Sequence, residues 1–191
     1  MSEENQVPRR SFIKSSAIIT TAAAAIPSLF STSCSTEEEQ GEKIWPEGKL
    51  NIAVIGLGMG YGNMKRCTDE NIVALCDVDN RRMEGRVEDF KENYPDRTVP
   101  YTYQDYRKMF AEIGDQIDAV IVGTPDHTHA IITLEAMKLG KHVYVQKPLT
   151  HSVYESRMLT QAAKKYNVAT QMGNQGASGD DTALVCESIW N

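Results

Sequence analysis

The chain lacks an excess of basic charge. Its 191 residues carry 20 Lys and Arg against 26 Asp and Glu, a net charge of −6. Nucleic-acid binders present a basic stripe or patch, and none is visible, which excludes that class of partner. A bilayer-spanning run is also lacking. The apolar segment from Ala17 to Phe30 falls short of the roughly 20 residues a crossing helix needs, and Pro27 interrupts it. Cysteine is scarce: Cys34, Cys67, Cys76 and Cys186 fit neither a disulfide framework, a zinc site nor a C-x-x-C redox pair. A hydrophobic content of 41% is enough for a real core, so the chain is not disordered as a whole. Its length suits one ordinary domain.

The first residues read as an address. Pro8-Arg9-Arg10-Ser11-Phe12-Ile13-Lys14 precedes the mildly apolar, Ala-, Ser- and Thr-rich stretch to Phe30. A charged n-region before a short apolar region is an export signal, and the paired arginines resemble the twin-arginine type. Leu29-Phe30-Ser31-Thr32-Ser33-Cys34 loosely resembles a lipobox, with Cys34 as the lipidated residue; ordinary cleavage after Ser33 uses the same small residues. The expectation is an export signal over 1–34 and a periplasmic or lipid-anchored protein. Membrane association then comes only through the signal or a lipid on Cys34. A polar linker follows over 35–48, rich in Glu and without apolar period.

The chain is organised around Leu50-Asn51-Ile52-Ala53-Val54-Ile55-Gly56-Leu57-Gly58-Met59-Gly60. An apolar run without alternation is a strand buried on both faces. It ends in glycines, which turn tightly and let a ligand approach the backbone. A helix after such a turn aims its amides at a pyrophosphate. The match to G-x-G-x-x-G is imperfect: Gly56 and Gly58 fit, but Tyr61 occupies the third position between Gly60 and Gly62. Either Gly62 takes the packing role of the third glycine or Tyr61 points outward. Asp77 strengthens the reading. It ends the next apolar run, about 20 residues on, where a ribose-binding carboxylate belongs.

Further along, Asn63 to Asp69 is expected as the first helix. A second helix starts near Asp79 and carries Met83, Val87, Phe90 and Tyr94 on one face. Val99–Thr102 is a short strand, and Tyr106 to Ile113 a helix ending at Gly114. Ile117–Thr124 is a strand, Pro125–His129 a loop, and Ala130–Leu139 a helix. His142–Val145 is a strand. Ser152-Val153-Tyr154-Glu155 has capping-box spacing and opens a helix to about Tyr166. Val168–Met172 is the sixth strand. Strands alternating with helices make an α/β, doubly wound parallel sheet of the Rossmann type, order 3-2-1-4-5-6. Ligands bind such sheets at the carboxyl ends of the strands, which singles out four loops: Gly56–Gly62, Thr124–His129, Gln146–Pro148 and Gly173–Gln175.

With these loops assembled, the chain resembles the Gfo/Idh/MocA family, that of glucose–fructose oxidoreductase and inositol dehydrogenase. The resemblance rests on Ile55-Gly56-Leu57-Gly58, Ala74-Leu75-Cys76-Asp77-Val78-Asp79, Asp105-Tyr106-Arg107, Thr124-Pro125-Asp126-His127-Thr128-His129, Lys141 to Leu149 with Gln146-Lys147-Pro148, and Met172-Gly173-Asn174-Gln175. It implies an NAD(P)-binding Rossmann domain over 49–176, and a second α/β domain of which 177–191 is only the start and the rest is missing. It implies NAD as cofactor, with NADP possible, and a sugar or cyclic polyol as substrate; full-length members are homo-oligomers. The implied cofactor contacts are Gly56, Leu57, Gly58, Met59, Gly60, Asp77, Thr124, Pro125, His127, His129, Gln146, Lys147, Asn174 and Gln175. Lys147 is the implied catalytic residue. A Lys beside a cofactor can accept or relay the hydroxyl proton as hydride leaves. The family's Glu-Lys-Pro stands here as Gln146-Lys147-Pro148, which removes a carboxylate beside Lys147. His127 and His129 alone make no metal site, because no third ligand is placed to complete one. Besides the oxidoreductase, two readings stay open: a glycosidase that oxidises its sugar transiently with NAD, and a non-catalytic dinucleotide-binding module.

Overall fold

The computed structural model describes residues 43–190. The twin-arginine segment, the Cys34 lipobox and the linker up to residue 42 lie outside the described residues. Six parallel strands form one sheet in the order β3-β2-β1-β4-β5-β6: β1 Asn51–Ile55, β2 Asn71–Cys76, β3 Tyr101–Tyr103, β4 Ala119–Val122, β5 His142–Gln146 and β6 Thr170–Gly173. This is the expected doubly wound order, with β1 and β4 neighbours at its centre.

Strand alternation divides the core. From β1, Ile52 and Val54 point to one face, with Leu57, Tyr61, Met64, Leu75, Met83 and Phe90. The covering helices there are α1 Met59–Met64 and α2 Asn80–Asn93. Ala53 and Ile55 point to the other face, with Met109, Phe110, Ile132, Met137, Val143 and Leu159. That face is covered by α3 Tyr106–Ile113, α4 Asp126–Lys138 and α5 Val153–Tyr166. Burying each such aliphatic side chain contributes roughly 1.5–3 kcal/mol.

Most expected elements stand within a few residues of their predicted ends. The capping box forms as read: the Ser152 hydroxyl accepts the Glu155 amide, and Glu155 reaches back to the Ser152 amide. Two boundaries differ in ways that shape the site. The first helix begins at Met59, inside the glycine cluster, and not at Asn63. The fourth begins at Asp126, so most of the expected Pro125–His129 loop is its first turn. Pro125 supplies an extended backbone at the cap, and Asp126 sits favourably in a helix's positive first turn. Gly114 caps the third helix at its expected end, in a right-handed conformation that runs into a short 3₁₀ turn.

The stretch just before β1 is docked. The Lys43 ammonium donates to the carbonyls of Val99 and Pro100, and Trp45 meets Tyr101 edge-on. After β6, α6 Asp180–Trp190 buries none of its residues.

Candidate active site at the carboxyl ends of the strands

The glycine turn is built from two close backbone approaches. Gly56 has φ +86°, and a Cβ there would stand 2.6 Å from the carbonyl carbon of Gly123 and from the Thr124 nitrogen. Gly123 at the end of β4 abuts the backbone of Gly60 so closely that a Cβ on Gly123 would overlap it. The packing role of the third glycine thus falls to the pair Gly60 and Gly123. This corrects both alternatives read from the sequence: Gly62 has nothing near it, and Tyr61 does not point outward. Tyr61 is buried between α1 and α2, with its hydroxyl on the Arg86 carbonyl and the Arg86 guanidinium over its ring. Burial, with Asp89 nearby, pushes its hydroxyl up to about 12, so it stays neutral.

Asp77 ends β2 beside this turn, and only 6% of it is exposed. Its Oδ2 accepts the Leu57 amide at 2.8 Å, and its Oδ1 accepts the Asp79 amide at 3.0 Å. Arg82 stands 3.4 Å from Oδ2. The carboxylate is therefore aimed by backbone donors, not by chance packing. Leu57 stands otherwise than expected: its amide serves Asp77 and its side chain is wholly buried, which makes it scaffold. Gly58 and Met59 line the open side of the turn, since a Cβ on Gly58 would meet nothing and Met59 is exposed.

On the far side of β1, Thr124 and Thr128 join their hydroxyls at 2.9 Å across the start of α4. Pro125 and His127 are exposed, and His127 lies 3.8 Å from the Asp126 carboxylate. His129 is buried, and its two ring nitrogens face the carbonyls of Pro148 and Thr124 at 2.7 and 2.8 Å. Neither nitrogen is left for a cofactor, so His129 too belongs to the scaffold. His127 and His129 turn to opposite environments and do not converge on a common ion.

At the ends of β5 and β6, Gln146 is buried and Lys147 exposed. The Gln146 Oε1 accepts the Lys147 amide at 2.8 Å and a Gln175 Nε2–H at 3.3 Å. Its amide orientation is set by these donors, and its own Nε2 has no hydrogen-bond partner among the described residues. Gln175 Nε2 also reaches the Tyr144 hydroxyl and the Asn63 Oδ1. Gly173 makes the cluster possible, because a Cβ there would collide with the Tyr144 hydroxyl. Asn174 is exposed just before Gln175. Sequence reasoning missed Asn63, Tyr144 and Gly123. Only Gly123 carried a signal, as a glycine at the end of a buried strand.

The residues fit a dinucleotide. An open glycine backbone faces a helix start, a nearly buried carboxylate stands at the end of β2, and a Lys with amide neighbours stands at the end of β5 on the same edge of the sheet. Relatives agree. The chain is 29% identical over 200 residues to a glycosyl hydrolase family 109 protein of Shewanella putrefaciens, covering 97% of this chain and 43% of that protein. It is 30% identical over 128 residues to scyllo-inositol 2-dehydrogenase (NAD(+)) of Bacillus subtilis, covering 66% of this chain and 36% of that one. The crystal structure of myo-inositol 2-dehydrogenase from Lactobacillus plantarum superposes with TM-score 0.63 at 25% identity, over 74% of this chain and 41% of that one. The chain spans less than half the length of these curated relatives. Residues 50–174 match the oxidoreductase family with an NAD-binding Rossmann fold, and the chain belongs to that family, Gfo/Idh/MocA.

Proposed function

We propose that this chain is the dinucleotide-binding half of an NAD-dependent oxidoreductase acting on a sugar or cyclic polyol. The observation that carries the reading is Asp77, held by the Leu57 and Asp79 amides beside a turn whose glycines leave the backbone open. Asp77 takes the adenosine ribose, and its charge disfavours a 2′-phosphate, so NAD is preferred to NADP. The backbone around Gly58 and the first turn of α4, with Thr124 and Pro125, line the rest of the cofactor. Asn174 and Gln175 flank its reactive end. When bound, NAD accepts a hydride from the substrate carbon. Lys147 is exposed at that end and takes the hydroxyl proton; Gln146 holds its amide. Titration of NADH and NADPH against wild type and Asp77→Ala tests the reading. Wild type binds NADH more tightly, and Asp77→Ala narrows the difference. Equal affinity of the wild type for both would overturn the role of Asp77.

The glycosyl hydrolase family 109 names among the relatives favour a second reading, in which oxidation is transient and the sugar is reduced again after elimination. Product analysis of the whole enzyme separates the two, since net NADH accumulates only in the first. The paired Arg9 and Arg10 support export of the folded, cofactor-loaded protein by a twin-arginine route, to the periplasm or to a lipid anchor on Cys34. Homo-oligomerisation of the whole protein belongs to the same proposal.

A further inference from the structure

We infer that Arg82 sets how far this chain discriminates between NAD and NADP: it is the cation that takes the 2′-phosphate of NADP and makes NADP a second, weaker cofactor. The inference rests on the dinucleotide reading proposed above and adds to it a residue outside the glycine turn and the strand ends. A carboxylate by itself at the ribose repels a 2′-phosphate, but Asp77 does not stand by itself. The Arg82 Nη1 lies 3.4 Å from Asp77 Oδ2, and its Nη2 lies 4.0 Å from the Asp79 carboxylate. The two partners are held very differently. Asp77 is buried and tied by the Leu57 and Asp79 amides, so it keeps its place when a ligand arrives. The Arg82 side chain is 49% exposed, and its contact with Asp77 is long for a charge-assisted bond, which runs about 2.7–2.9 Å. Such a pair is easily parted, and the guanidinium can swing to an incoming anion.

Helix stability does not account for an arginine at this position. Arg82 is the third residue of α2, whose first turn holds Arg81 and Arg82 and no acidic side chain. A helix's first turn is itself positive, so cations there are disfavoured and anions favoured. The amides of that turn are already engaged, since the Asp79 side chain accepts those of Arg81 and Arg82. What stays on offer is a planar guanidinium, whose paired N–H groups match a phosphate. Arg86, one turn further along α2, gives a contrast. It lies over the Tyr61 ring and pairs with Asp89 at 2.8 Å, so it belongs to the scaffold. With NAD, Asp77 accepts from the ribose and Arg82 gives up only a weak contact. With NADP, Asp77 and Asp79 repel the 2′-phosphate while Arg82 attracts it, and two carboxylates against one guanidinium leave NAD ahead. Removing Asp77 takes away the nearer repulsion and leaves the attraction.

The test is titration of the full chain with NADH and NADPH, and with their adenosine ends, adenosine 5′-monophosphate and adenosine 2′,5′-bisphosphate, which probe the ribose site without the nicotinamide. Arg82→Gln removes the charge at similar length, and because an exposed ion pair adds little to stability the variant is expected to fold. It should weaken NADPH about tenfold more than NADH, the effect of one hydrogen bond to a charged group. The same selective loss should appear between the two adenosine nucleotides. Arg82→Lys should recover part of it, keeping the charge without the planar fork. In an Asp77→Ala background, Arg82→Gln should abolish the gain in NADPH binding that Asp77→Ala brings. High salt should shrink the selective loss, because an exposed contact is screened. Equal weakening of both cofactors, no change in either, or no measurable binding of NADPH to the wild type would each overturn the role of Arg82. A wild type that binds NADH but shows one of those results removes this inference alone. A wild type that binds none of the four nucleotides removes the dinucleotide reading together with it.

Discussion

At Gly123 a single hydrogen in place of a side chain lets β4 meet the start of α1. Gly123→Ala puts a Cβ into the Gly60 backbone, which cannot swing aside as a flexible side chain would. The expected cost is about 1–3 kcal/mol of stability, by overpacking, together with weakened NADH binding, read by thermal denaturation and by titration. Gly58→Ala, where a Cβ meets open space, should leave stability near wild type and weaken binding alone. Cys76 sits close by in β2. Burial first, then Asp105 and Asp77, push its thiol from 9.0 up to about 12. Below pH 9.0 the thiol is protonated in both folded and unfolded chains, and its contribution to stability is fully present. Above that the unfolded chain ionises first, so stability falls as pH rises towards about 12. Between about pH 8 and about pH 10.5 this thiol's share is on the order of 2 kcal/mol. Cys76→Val should flatten the alkaline loss by that amount in denaturant titrations; an unchanged slope would refute the assignment.

At the scale of elements, helix starts do most to shape the site. The capping box at Ser152 fixes where α5 begins, just after the Lys147 turn, and so limits how far that turn can drift. Ser152→Ala should cost about 1 kcal/mol, measured as a shift of the denaturation midpoint, while Ser152→Asp should recover most of it. The fourth helix carries the other lesson. Read from the sequence, Pro125-Asp126-His127-Thr128-His129 is a polar loop with an available His-x-His. As the first turn of a helix, it turns alternate residues to opposite sides, sending His127 to solvent and His129 inward. The fate of both histidines was decided by where the helix starts, not by their spacing.

For the whole molecule, the sheet brings Asp77, Thr124, Lys147 and Gln175 to one edge from four separate strand ends. Lys147 is exposed there, so nothing described keeps water from it. Hydride transfer needs the hydroxyl held at near-attack distance, and a misplacement of about 1 Å can cost on the order of a hundredfold. Residues 35–191, loaded with NAD, are therefore expected to show no steady NADH production with any of a panel of sugars and polyols. Turnover abolished by Lys147→Ala would show that the opposite holds. The proposed twin-arginine export is tested on the whole chain as well: Arg9→Lys with Arg10→Lys should retain the protein in the cytoplasm on fractionation, and unchanged export would refute that route.

Apolar periodicity, the glycine cluster, Asp77 and the Ser152 cap are local signals, and from them the sequence by itself determined the strand order and the strand ends where chemistry gathers. Local pattern suffices there because a strand buried on both faces and a helix buried on one leave different spacings of apolar residues. Only the tertiary structure decided that Gly123 is the partner of Gly60, that Leu57 gives its amide to Asp77, that Tyr61 is buried, and that His129 spans two carbonyls from loops far apart in the chain. Each of these is a contact between backbone groups or side chains brought together by the parallel crossovers. A backbone amide or carbonyl is the same at every residue, so nothing in the order of side chains marks which one a distant strand will meet.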